Sequence, residues 1–313
     1  MTVSSTAEEN GTINHSATTT TCPLTDGIYV PTVAFFTPDS NIDIEATRAH
    51  AARLAQAGVA GLVTHGSNGE AVHLDHEERR LITQTTRNAL DQTGKPELPL
   101  IAGCGASHAL VLPPAYYHNL LTTENIQQHF RKVADQSPIP ILIYNFPAAC
   151  AGLDLNSDTI LALAQHPNIA GVKLTCGNTG KLARVVAGTK DTDFKTFAGS
   201  VDFTIQSLSV GGHGVIGGTA NIAPRACVQL MQLWREGKQK EAMGLQAIVS
   251  RGDWAAIKGG FIAVKAALER YYGYGGQPRK PCSPLEGTAL DAQLEGFLEL
   301  IDLEKTFEGD CKS

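Results

Sequence analysis

The chain has 313 residues and 33.2 kDa, with 42% hydrophobic and 18% charged residues, enough to build a buried core and to exclude a disordered chain. Its formal charge of -6, from 25 Lys+Arg against 31 Asp+Glu, offers no basic field for phosphate backbones, so no nucleic-acid partner is expected. No uncharged apolar run approaches the ~18 residues of a membrane helix, so a soluble protein with no membrane partner is expected.

Residues 1–25 read as a disordered tail. Met1 to Cys22 is rich in Ser, Thr, Asn and Glu, and the first Lys or Arg is Arg48, which suits neither a matrix-targeting nor a secretory segment. A cytoplasmic protein is the expectation. From Gly27 onward, apolar β-rich runs alternate with helical patterns. The runs are Gly27–Phe36, Val59–Thr64, Pro99–Cys104, Ala109–Pro113, Pro140–Phe146, Ile169–Thr175, Phe194–Gly199 and Gly214–Gly218. They are continuous rather than alternating, as strands covered on both faces require. The patterns between them predict helices at Ile44–Ala57, Asp75–Leu90, Thr123–Gln136, Ser157–Gln165, Lys181–Val186 and Asp202–Ser209. Asp75 with Glu78 forms a capping-box signature.

Eight such units predict an α/β fold, a (β/α)₈ TIM barrel over residues 26–236. A helical extension follows over 237–313, with helices at Phe261–Tyr272 and beyond Thr288. No Gly-x-Gly-x-x-Gly opens a helix after the first strand, which counts against a dinucleotide fold. Seven cysteines (22, 104, 150, 176, 227, 282, 311) carry no Cys-x-x-Cys pair and read as reduced thiols rather than disulfides or zinc ligands.

One junction breaks the pattern. Only Gly105-Ala106-Ser107-His108 separates the third strand from the fourth. Four residues reach at most ~14 Å, whereas returning along a five-residue strand takes ~17 Å. The barrel is therefore expected to lack the helix between strands 3 and 4. One of the two strands should leave the barrel, or both should merge into one extended segment.

Function in a barrel gathers at the C-terminal ends of its strands. The second strand ends in His65-Gly66-Ser67-Asn68-Gly69-Glu70, which is either an ordinary glycine turn or a backbone nest for a carboxylate or phosphate. The fifth ends in Tyr144-Asn145-Phe146-Pro147, a core tyrosine or one at the barrel mouth. The sixth carries Lys173 within Ile169–Thr175. A lysine there either snorkels from the strand end or points inward, where desolvation frees an amine for Schiff-base formation with a ketone. His65, His73 and His76 cluster without the spacing of a metal site, and Glu70 reads as structural.

Together, Gly66-Ser67-Asn68-Gly69-Glu70, Tyr144-Asn145-Phe146-Pro147, Gly171-Val172-Lys173 and Gly214-Val215-Ile216-Gly217 resemble the dihydrodipicolinate synthase/N-acetylneuraminate lyase family of pyruvate-type class I aldolases. The resemblance runs from about Gly27 to Tyr272. Gly171 through Asn178 and Leu110-Val111-Leu112-Pro113-Pro114 are most similar to the fungal L-threo-3-deoxy-hexulosonate aldolases, and the Ser-Asn turn is shared with 4-hydroxy-2-oxoglutarate aldolases. The resemblance implies that Lys173 forms the Schiff base, Tyr144 shuttles protons and Ser67 relays to Tyr144. It further implies that Ser67 and Asn68 hold the substrate carboxylate and that Gly217 sits against the pyruvyl unit. Tyr117, or Tyr116, would reach across a dimer interface.

No cofactor and no metal are implied, because the iminium is itself the electron sink. The partners implied are a small 2-keto acid and further copies of the chain in a dimer or tetramer. Ala148-Ala149-Cys150 stand where dihydrodipicolinate synthases carry an arginine, so a 2-keto-3-deoxy sugar acid is expected ahead of the lysine-biosynthetic substrate. The family also has about twenty more residues at the four-residue junction, so an internal loss is implied there. The competing expectation is a non-catalytic, damaged barrel that binds a keto acid or a partner protein through strand surface left uncovered.

Overall fold

The computed structural model describes residues 23–102 and 106–309. Eight strands form a single parallel sheet: β1 (Gly27–Pro31), β2 (Gly61–Val63), β3 (Leu100–Ile101), β4 (Ala109–Val111), β5 (Ile141–Asn145), β6 (Ile169–Leu174), β7 (Lys195–Ala198) and β8 (Gly214–Ile216). Their order is β3-β2-β1-β8-β7-β6-β5-β4, and β1 pairs with β8 from Gly27↔Gly214 to Tyr29↔Ile216. The continuous apolar runs follow from this arrangement. One set of side chains, including Tyr29, Val63, Ile101, Leu142, Phe197 and Ile216, fills the barrel, and the other packs outward against the helices. The strands are shorter than their apolar runs. The first ends at Pro31, and Val33 and Phe35 beyond it pack against the C-terminal helices instead of extending the sheet.

Helices α1 (Ile44–Gln56), α2 (His76–Gln92), α3 (Thr123–Gln136), α4 (Ser157–Leu163), α5 (Thr179–Thr189), α6 (Thr204–Leu208) and α7 (Pro224–Arg235) surround the barrel. The Asp75/Glu78 capping box is present at α2. The extension comprises α8 (Gln239–Tyr272), α9 (Gly287–Glu295) and α10 (Leu298–Gly309). The expected Phe261–Tyr272 helix is the second half of α8, which breaks at Gly260 (φ 59°, ψ -158°), a backbone region open essentially to glycine alone. Buried Glu304 of α10 accepts N–H bonds from Arg225 and Ala226, supplying the N-terminal partner that α7 lacks among its own side chains.

The β3–β4 junction departs from expectation in one respect. Neither strand leaves the barrel and they do not merge. They stand at the two ends of the sheet and meet through one parallel bridge, Ile101↔His108, with Ala102 N–H bonded to His108 O (2.7 Å) and Ser107 N–H to Leu100 O (2.8 Å). With β3 only Leu100–Ile101, the return is short enough for so few residues. Among the described residues no helix separates the two strands, and all three residues of β4 are only half-buried. Cys104 and Gly105 of the junction, like Cys22 and Cys311, lie outside the described residues.

Candidate active site

Side chains along a strand alternate, and this places the reactive pair. Val172 and Leu174 face the helices, so Lys173 between them points into the barrel mouth. Ile143 likewise faces outward and Tyr144 inward, and Tyr144 and Lys173 are register partners. Lys173 Nζ donates to Tyr144 Oη over 3.3 Å, and both residues are 5% exposed. Phe146 stacks on Tyr144 with ring centroids 5.5 Å apart. Three lysines are buried among the described residues. Lys181 is paired with Asp154 and Lys265 with Glu70, whereas Lys173 has a phenol and no carboxylate. An amine without a counter-ion is the one suited to attack a carbonyl.

The pair opens into a cavity of about 600 Å³ whose wall includes Ser67 and Asn68 of the turn after β2 and Gly218 of the loop after β8. A Cβ on Gly218 would stand 2.5 Å from Asn68 Nδ2, so the two loops meet there and a larger residue would displace the Asn68 amide. Gly218, not Gly217, lines the cavity. Gly217 is buried, and its missing side chain makes room for Val201. Ser67 and Tyr144 share the cavity without a hydrogen bond between them among the described residues. Tyr116 and Tyr117 are 90% and 66% exposed, stacked edge-to-face outside it, so within one chain neither reaches the site.

Glu70 closes the turn as a structural group. Its side chain is inaccessible to solvent and binds Lys265 Nζ (2.9 Å), the Arg279 N–H (3.0 Å) and His73 Nδ1 (2.9 Å). Arg279 also pairs with Glu78 and reaches His73 O. The C-terminal extension therefore anchors the turn. A second hollow of about 500 Å³ shares Ser67 and Tyr144 and extends to Ala102, Ala109 and Leu110 at the β3–β4 seam. His65 lines it, its imidazole pushed down to about 4 by burial and by the Arg79 guanidinium. Among the described residues, no cluster of three His, Cys, Asp or Glu side chains could hold a metal.

Several cavity residues escape a strand-by-strand reading. Ser200 and Asp202 come from the loop after β7, and Asp253, Ile257 and Phe261 come from α8. Burial raises the carboxyl pKa of both Asp202 and Asp253. Lys173 is the only basic residue in the lining.

A buried amine facing a phenol at the mouth of an eightfold barrel defines a lysine-bearing (β/α)₈ protein equipped for Schiff-base chemistry. The dihydrodipicolinate synthetase family model matches residues 24–110 and 101–295, and the chain belongs to that family. The two matched stretches share residues 101–110, the β3–β4 seam. A probable mitochondrial 4-hydroxy-2-oxoglutarate aldolase of Emericella nidulans is 56% identical over 304 residues, covering 91% of this chain and 98% of the relative. An L-threo-3-deoxy-hexylosonate aldolase of Hypocrea jecorina is 44% identical, covering 90% and 97%. The crystal structure of a dihydrodipicolinate synthase family protein from Coccidioides immitis superposes with a TM-score of 0.82 at 33% identity, covering 91% and 98%.

Proposed function

We propose that the protein is a class I aldolase that cleaves a 2-keto-3-deoxy sugar acid, of the L-threo-3-deoxy-hexulosonate type, to pyruvate and an aldehyde. The observation that carries the reading is the Lys173–Tyr144 pair, the one buried amine left without a carboxylate. The Lys173 amine adds to the C2 ketone, Tyr144 gives its phenolic proton to the departing carbinolamine hydroxyl, and loss of water leaves an iminium and a tyrosinate. Tyr144 then takes the C4 hydroxyl proton, the C3–C4 bond breaks, and its electron pair moves to the iminium nitrogen as the aldehyde leaves. Protonation at C3 and hydrolysis release pyruvate and the free amine. Ser67 and Asn68, with the N–H groups of their turn, are placed to hold the C1 carboxylate.

The wall favours a hydroxylated tail over a second carboxylate. Lys173 is the only basic residue in the lining and is consumed by the chemistry, which leaves a second carboxylate without a cation. Purified protein should therefore release pyruvate from L-threo-3-deoxy-hexulosonate with a kcat/KM at least about tenfold above that for 4-hydroxy-2-oxoglutarate, as expected where binding a second anion lacks a partner. Equal or reversed values would overturn the choice of substrate. Tyr144→Phe should lower kcat by about 10²–10⁴, the range for removing a general acid–base. A rate within a few-fold of the parent would transfer the shuttle role to water or Ser67.

Two further elements belong to the proposal. The exposed Tyr116–Tyr117 pair is the contact of a homo-oligomer, which the solution mass of the full chain checks. The chain also lacks a β3–β4 crossover that its relatives carry. The double match of the family model at residues 101–110 supports this, as do 304 aligned positions where 91% of 313 residues supplies fewer.

A further inference from the structure

Asp253 lies on α8, outside the barrel, yet it is 2% exposed and forms part of the wall of the Lys173 cavity. Its Oδ2 accepts from Ser200 Oγ (2.5 Å) and from the Asp202 N–H (2.9 Å), and its Oδ1 accepts from the Thr219 hydroxyl. One carboxylate thus ties the loop after β7 to the loop after β8. Residues of both loops, Ser200 and Asp202 on one side and Gly218 on the other, face the cavity. None of these bonds reaches Lys173 or Tyr144.

Among the described residues no cation pairs with Asp253, whose helix neighbours Gly252, Ala255 and Ala256 are small and buried. A buried carboxylate without a counter-ion is costly, and an apolar residue would pack the same position at less expense. Asp202, held through its backbone N–H, keeps a buried Oδ1 without a partner.

We propose that Asp253 is a positioning residue for the aldehyde-side half of the substrate, fixing through Ser200 and the Asp202 N–H the backbone that meets the hydroxylated tail, while the keto-acid half binds without it. The proposal rests on the aldolase reading above and deepens it.

The test uses the full chain with Asp253→Asn, which keeps volume while replacing one acceptor oxygen by a donor. Two readouts separate the halves of the substrate: borohydride trapping of pyruvate on Lys173, and steady-state cleavage of L-threo-3-deoxy-hexulosonate. Trapping should stay within about twofold of the parent, while KM for cleavage rises roughly tenfold or more and kcat falls by less than about threefold. Thr219→Val, which withdraws one donor and leaves the carboxylate, should raise KM in the same direction by a smaller factor. An unchanged KM in Asp253→Asn, or trapping that falls in parallel with cleavage, overturns the assignment. If that variant does not fold, an unchanged KM in Thr219→Val does so. Failure of the parent protein to trap pyruvate at all instead refutes the aldolase reading.

Discussion

Lys173→Ala should abolish turnover, lowering kcat by about 10⁴-fold or more, while the fold survives. The loss is large because no other residue is placed to take over. Lys181 and Lys265, the other buried amines, are held by Asp154 and Glu70. The fold survives because the amine makes one hydrogen bond, to Tyr144, and no ion pair, so its removal strands no buried charge. Pyruvate and borohydride should leave a reduced adduct on the peptide that carries Lys173 in the parent, and none in the variant. An adduct on Lys181 or Lys265, or residual turnover above about 1% of the parent, would move the Schiff base elsewhere.

The second large effect is on stability. A chain with a crossover helix of about twenty residues inserted between β3 and β4 should unfold at a temperature on the order of 5–10 °C higher than this one. β4 is half-buried throughout, and a single bridge, Ile101↔His108, joins it to β3. Covering that face with an amphipathic helix is worth several kcal/mol at ~25 cal/mol per Å². Net stability is only about 5–15 kcal/mol. Calorimetry of the two chains makes the comparison, and coincident, equally cooperative transitions would show that the open seam costs nothing. The same insertion bears on activity, because the hollow at the seam shares Ser67 and Tyr144 with the candidate site.

Much of this was legible in the chain. Eight apolar runs gave eight strands, because side chains buried on both faces of a parallel sheet need no polar alternation. Lys173 and Tyr144 stood out because a charge and a hydroxyl in such runs must be explained. Strand ends were less legible, since Val33 and Phe35 are equally apolar in a second core beyond the sheet. Gly217 and Gly218 could not be told apart, because which of them meets Asn68 depends on how two distant loops close. Asp253 was missed for a similar reason. Its partners Ser200, Asp202 and Thr219 are remote in sequence, and a lone acid inside a helix ordinarily reads as a solvated face.

The Glu70 ion pair also sets a schedule for the nascent chain. The eighth strand is complete at Ile216, but of the three partners of Glu70 only His73 has been made by then, and Lys265 and Arg279 follow later. At roughly 5–20 residues per second, the stretch from Ile216 to Lys265 takes about 2–10 s to synthesise. During that interval the ribosome holds a barrel with every strand in hand and a Glu70 carboxylate that still lacks its lysine. The turn after β2 is therefore anchored only by charges made well after the last strand, and a chain released early carries Lys173 without that anchor.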